Sequence, residues 1–182
     1  PDDAAQLTAT LEDQLVRADL IITTGGVSAG AYDTVKAVLS QLGTVEFTSI
    51  AMQPGKPQGY GTLGETPIFT LPGNPVSAYV SFEVFVRPVL RRFLGYNELF
   101  RPMVEARVTN AFDSPAAKRQ YARGQLAYQN GDWTFHPSMS QGSHQVGVLA
   151  HANAIAVVPE EVEHVPANST VTVMRLDTDH GA

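Results

Sequence analysis

Helical periodicity runs through the first half of this 182-residue sequence and then stops. Leu7, Leu11 and Leu15 recur at helical spacing, and Val35, Val38, Leu39 and Leu42 repeat at i, i+3, i+4 and i+7. Between these helices the apolar run "DLIITT" reads as a buried strand; Gly43 closes the second helix and "VEFTSIAM" reads as the next strand. "PGKPQGYGTLGETP" reads as a Pro/Gly-rich loop with room for a short hairpin before "IFTL". A second strand-turn-helix unit follows in "IFTLPGNPVSAYVSFEVFVRPVLRRFLG", with Asn74 as N-cap and Pro75 as the first helical residue. That helix is apolar nearly all round, which predicts burial, and Pro88 should kink or interrupt it.

Past Gly95 the pattern becomes a series of short β-type runs, "MVEARVTNAF", "RQYARGQLAYQ", "DWTFHPS", "AIAVVPE" and "STVTVMRL", with "QNGD" as a hairpin turn. The change predicts a parallel-sheet α/β domain over residues 1–97 and a small all-β barrel or sandwich over residues 98–182. A hydrophobic content of 43% supports a real core in each. The absence of cysteine excludes a disulfide framework and a thiolate metal site. His136, His144, His151, His164 and His180 are scattered without ligand spacing, so no histidine metal site is expected. No stretch approaches the roughly 18 apolar residues of a membrane span, and the N-terminus lacks a basic-then-apolar signal layout, so the expectation is a cytoplasmic protein with no membrane partner. A net charge of −6 argues against general nucleic-acid binding, although local Lys and Arg residues can still meet an anion inside a cleft.

Two strand-to-helix turns in one α/β domain, "TTGGVSAG" and "LPGNPVSA", should lie at the same edge of the sheet, where ligands of open α/β folds bind. Backbone N–H groups at the helix starts, with the Ser28 and Ser77 hydroxyls, suit a phosphate or similar anion. Paired glycines after a strand are also a common tight turn, and that reading stays open. Asp33, just beyond the first turn, reads equally as a helix cap or as a carboxylate holding a divalent cation, Mg²⁺, against a bound phosphate.

Taken in order, "TTGGVSAGAYDTVK", "QPGKPQGYG", "LPGNPVSAYVSFEVFVRPVL", "RQYARGQL" and "QGSHQVGVLAHANAIAVVPE" resemble the molybdopterin molybdenumtransferases, the molybdenum insertases of the MoeA and gephyrin type. The likeness covers nearly the whole chain. It implies an α/β molybdopterin-binding domain followed by a C-terminal β-barrel. It also implies a role in molybdenum cofactor biosynthesis, the insertion of molybdenum from molybdate into adenylylated molybdopterin with Mg²⁺-dependent release of AMP.

Carried over residue by residue, the resemblance places pterin and phosphate on Gly25, Gly26, Val27 and Ser28, with Gly73, Asn74 and Pro75 in the second turn. Its metal-binding carboxylate corresponds to Asp33, and its upstream acidic pair resembles Asp2 and Asp3. Lys56 corresponds to a lysine facing the oxyanion, Ser77 lies in the "PGNPVS" turn, and Arg123 and Ser143 match positions that close the molybdate site from the β-domain. These residue types suit the task, because molybdate is a dianion met by cationic side chains and neutral hydrogen-bond donors. Two departures stand out. Gln53 replaces a lysine usual before "PGKP", and the chain opens at a helix where the family has further N-terminal domains and a first strand, which implies a fragment of a longer homodimeric protein. Transient contact with molybdoenzymes or an adenylyltransferase is expected of such a protein. The alternatives are a molybdopterin adenylyltransferase, which usually lacks the β-barrel, and a non-catalytic binding or scaffold module.

Overall fold

The computed structural model describes residues 3–27, 32–138 and 146–177. The chain divides into two compact units, one of Pro1–Ile50 with Gly55–Ser81 and one of Ala51–Pro54 with Phe82–Ala182.

In chain order the first part contains α1 (Ala4–Leu15), β1 (Ile21–Thr24), α2 (Tyr32–Leu42), β2 (Gly43–Ser49), the two-residue β3 (Met52–Gln53), β4 (Pro57–Leu63), β5 (Thr66–Leu71) and α3 (Pro75–Ser81). All but β3 belong to the first unit. Asp3 caps α1, its Oδ1 accepting from the N–H groups of Ala5 at 2.9 Å and Gln6 at 3.3 Å. The periodic residues meet as expected: Leu11, Val38 and Leu39 are buried against Ile21, Leu63 and Ile68, with Leu7, Leu15, Val35 and Leu42 packed around them. Both helices therefore cover one face of the sheet.

The sheet runs in the order β1-β5-β4-β2. Strands β1 and β5 are parallel, while β4 is antiparallel to both β5 and β2. The α/β class is as expected, but within this sheet only the β1–β5 pairing among the described strands is parallel, because the stretch expected as a loop is largely strand. Gly59 and Gly61 hide β4 from a reading based on side chains. Gly61 has no Cβ because one would run into the backbone of Thr44 and Val45 on β2, so its glycine reflects close packing rather than a flexible loop.

The second unit begins, after β3, with a π-helical turn (Phe82–Val86) that leads into α4 (Arg87–Phe93). The expected interruption at Pro88 takes this form: proline offers no N–H to the helical ladder, and the wider turn just before it absorbs the mismatch. Within this turn Glu83 is buried and receives a two-pronged contact from Arg101, at 2.9 and 3.1 Å, with Arg87 Nε at 3.7 Å.

The remaining elements are β6 (Met103–Val108), β7 (Phe112–Asp113), β8 (Arg119–Gln129), β9 (Asp132–Pro137), α5 (Val146–His151), β10 (Ala154–Val158), β11 (His164–Val165) and β12 (Thr170–Arg175). Five strands follow each other as β10-β12-β6-β9-β8, and β8 pairs back onto β10, which closes a barrel. Its interior is filled by Ala106, Val108, Ala122, Leu126, Phe135, Ala154, Ala156, Val158, Val171 and Val173. The "QNGD" turn joins β8 to β9 as expected, with positive φ at Asn130 and Gly131. Strand β3 adds to the outer edge of β8, in parallel, with Met52 opposite Arg119. Strands β7 and β11 form a separate two-stranded ladder.

Candidate functional site

The parallel register of β1 and β5 places Thr24 beside Leu71, so the two chains leave the sheet together and both glycine turns start at the same edge. The first turn is tied to the second strand by the Gly25 N–H, which donates to Leu71 O at 2.9 Å. Gly25 and Gly26 have φ of 88° and 72°, a region that side-chain-bearing residues rarely adopt. Gly73 lies so close to this turn that a Cβ on it would stand 3.2 Å from the Gly25 Cα. A Cβ on Gly26 would press into the side chain of Val35 on α2. The glycines thus let two backbone turns touch and leave their peptide groups at one rim.

Val27 and Val76 are buried behind the rim and anchor its two turns. Asn74 Oδ1 accepts from the Val76 N–H at 3.2 Å, and Asn74 O accepts from the Ala78 N–H at 2.8 Å, so Asn74 caps α3 as the sequence suggests. Ser77 lies in the first turn of α3 and is only 7% exposed, which restricts its hydroxyl to a ligand that penetrates the turn. On β1 and β5 the Thr23 and Thr70 hydroxyls are register partners, both buried and without a hydrogen-bond partner among the described residues.

Lys56 belongs to the same unit and is exposed; its carbonyl accepts from the Ile50 N–H at 2.8 Å. Arg123, in the second unit, lies on β8 between the inward-facing Ala122 and Gly124 and so points away from the barrel interior, yet it is 0% exposed. Burial lowers its pKa. Gln53 is paired with Gln120 in β3. Ser28, Ser143 and Asp2 lie outside the described residues, as does the side chain of Asp33, whose backbone is in the first turn of α2. Among the described residues no three His, Asp or Glu side chains come together to hold a metal, and Asp3 is engaged in capping α1. The described residues alone do not assemble a magnesium site, and the other candidate ligands, Asp2 and the Asp33 side chain, lie outside them.

The family described as "Probable molybdopterin binding domain" matches residues 1–92, and the "MoeA C-terminal region (domain IV)" matches residues 105–176. This chain belongs to the molybdopterin-binding domain family, followed by a MoeA C-terminal region. Molybdopterin molybdenumtransferase 2 of Mycobacterium tuberculosis is 47% identical over 181 residues, covering 96% of this chain and 44% of that protein. The molybdopterin molybdenumtransferase of Bacillus subtilis is 30% identical over 182 residues, covering 100% of this chain and 42% of that protein. The crystal structure of the molybdopterin biosynthesis MoeA protein from Pyrococcus horikosii superposes with a TM-score of 0.78 at 29% identity, over 97% of this chain and 42% of that one. The chain spans less than half the length of these relatives.

The two glycine turns are neighbours within the first unit, which also holds Ser77 and Lys56; Gln53 and Arg123 belong to the second unit. Sequence reasoning missed Gln58, which is buried beside Lys56 in sequence and hydrogen-bonded to the Gly55 carbonyl. A buried glutamine on a strand offers no periodic signal; only its place in "KPQGYG" pointed toward it.

Proposed function

We propose that this chain is the part of a molybdenum insertase that receives adenylylated molybdopterin and molybdate. The observation that carries the reading is the contact of the two glycine turns, Gly25 N–H to Leu71 O with Gly73 against Gly25, at the edge where parallel strands β1 and β5 end. Backbone donors at such a rim suit the phosphate groups of a nucleotide-linked pterin, because they supply hydrogen bonds without a protonation state to maintain. Lys56 adds the positive charge that a molybdate dianion requires, and an exposed ammonium on a tied backbone can reach a ligand without the cost of burial. Arg123, Ser77 and Ser143 complete the proposed oxyanion contacts, Ser28, Val27, Asn74 and Pro75 the proposed pterin contacts. Residues 1–97 then act as the pterin-binding part and residues 98–182 as the β-domain that supplies Arg123.

Molybdenum transfer with release of AMP is the reaction of this reading, in a cytoplasmic homodimer. Asp33 is the proposed Mg²⁺ ligand, and the backbone donors of the rim bind an anion independently of it. The test is to incubate the full-length enzyme containing this chain with adenylylated molybdopterin, Mg²⁺ and molybdate, and to follow AMP and active cofactor. Molybdate-dependent release of AMP together with active cofactor is expected; no release above the enzyme-free blank overturns the reading. In the same assay Lys56→Ala should weaken molybdate binding about tenfold or more, the loss of one charge-assisted contact, and leave pterin binding in place. Gln53→Lys should strengthen it.

A further inference from the structure

We propose that Gln58 is a positioning residue that holds Lys56 in place for the oxyanion; this rests on the reading of Lys56 given above. Gln58 is 5% exposed on β4, where its backbone is paired with Thr48 of β2. Its Nε2 donates to Gly55 O at 2.6 Å and to Ser81 Oγ, on α3, at 2.5 Å. The orientation of the amide follows from chemistry: a carbonyl only accepts, so the atom facing Gly55 O must be the NH₂ group. Both of its hydrogens are then used, one on the turn and one on a fully buried serine that anchors the side chain.

The peptide so held is the one that precedes Lys56. Gly55 has φ 108°, a conformation open to few residues but glycine, and such a turn has no side chain of its own to hold it. Two hydrogen bonds replace that support. Gln58 fixes the carbonyl before Lys56, and the Ile50 N–H fixes the carbonyl of Lys56 itself at 2.8 Å. The lysine's Cα is held on both sides while its side chain stays exposed, which reduces the ordering cost of meeting an anion. Gln58 itself contacts no substrate in this scheme and acts through Lys56.

The test is a double-mutant cycle in the full-length enzyme, with the KM for molybdate and the Kd for adenylylated molybdopterin measured for Gln58→Met, Lys56→Ala and the pair. Gln58→Met keeps the length of the side chain and removes both donated bonds. It should raise the KM for molybdate roughly threefold to tenfold, the range of the one lost bond that acts on Lys56, that to the Gly55 carbonyl, and leave the pterin Kd within about twofold. The pair should be no worse than Lys56→Ala alone, because a positioning residue has nothing to act through once the lysine is gone. Ser81→Ala removes only the anchor and should shift KM the same way by less, so the cycle survives if Gln58→Met folds poorly. Gln58→Glu should recover molybdate affinity as pH falls and the carboxyl becomes a donor again, a response that loosened packing would not give. An unchanged KM in Gln58→Met and Ser81→Ala, with Lys56→Ala impaired, overturns the positioning role and leaves the Lys56 reading intact. Additive losses in the pair, or equal losses of pterin and molybdate binding, overturn it as well. An unimpaired Lys56→Ala removes the reading on which the inference stands.

Discussion

Lys56 stands exposed on a turn whose backbone is tied at both neighbouring carbonyls, whereas Arg123 is wholly enclosed on the outer side of strand β8. One cation keeps its water and has only its backbone ordered; the other has surrendered its water, and burial lowers its pKa. A charge of the first kind can be removed without touching the fold, while one of the second kind is part of the packing as well as a source of potential. Loss of activity would therefore mean different things at the two positions, and only at Lys56 would it be free of a packing defect.

Three substitutions sharpen or break that comparison. Arg123→Ala should have the largest effect on folding, lowering the stability of the second unit by about 2–5 kcal/mol because a fully buried side chain leaves a cavity. Urea unfolding measures it, and Arg123→Met, which preserves volume, should lose much less; equal losses would mean that charge rather than packing is what β8 requires. Asn74→Ala comes next at about 1 kcal/mol, the usual worth of an N-cap, while Asn74→Asp should keep the cap. The aspartate also brings a negative charge to the rim, so normal stability with weakened binding of the adenylylated pterin is the expected combination. Lys56→Ala should change stability by no more than about 0.5 kcal/mol. A larger shift in its thermal midpoint would show that the lysine is packed after all and collapse the contrast with Arg123.

Much of this architecture was legible in the sequence, and the failures have identifiable causes. Leu11, Val38 and Leu39 revealed the α/β core because helical periodicity is a local signal that burial enforces directly. The two glycine turns were legible for the same reason: each occupies a strand end followed by a helix start. Strand β4 was not, since Gly59 and Gly61 erase the alternation by which a strand is recognised, and a glycine needed for close approach looks in sequence like one needed for a loop. Glu83 falls inside the stretch read as an apolar helix; its partner Arg101 is 18 positions away, and nothing local announces a pair at that distance. Asp3 shows why residue type alone leaves a role open: an aspartate ahead of a helix can cap it, as the contacts with the Ala5 and Gln6 N–H groups do for α1, and can equally hold a metal.

Strand β3 has a consequence for synthesis. Met52 finds its partner Arg119 only about 67 residues later in the chain, so while the protein is being made this short segment leaves the ribosome long before β8 exists to receive it. The first unit is interrupted at that point and resumes at Gly55, so a single cut in the chain cannot release it whole without also carrying away a strand of the other unit. The two units are thus interleaved in order of appearance. The second unit has to reach back across the Gly55–Ser81 part of the first unit to collect β3, a long loop closure that favours slow completion of β3 over independent folding of two pieces.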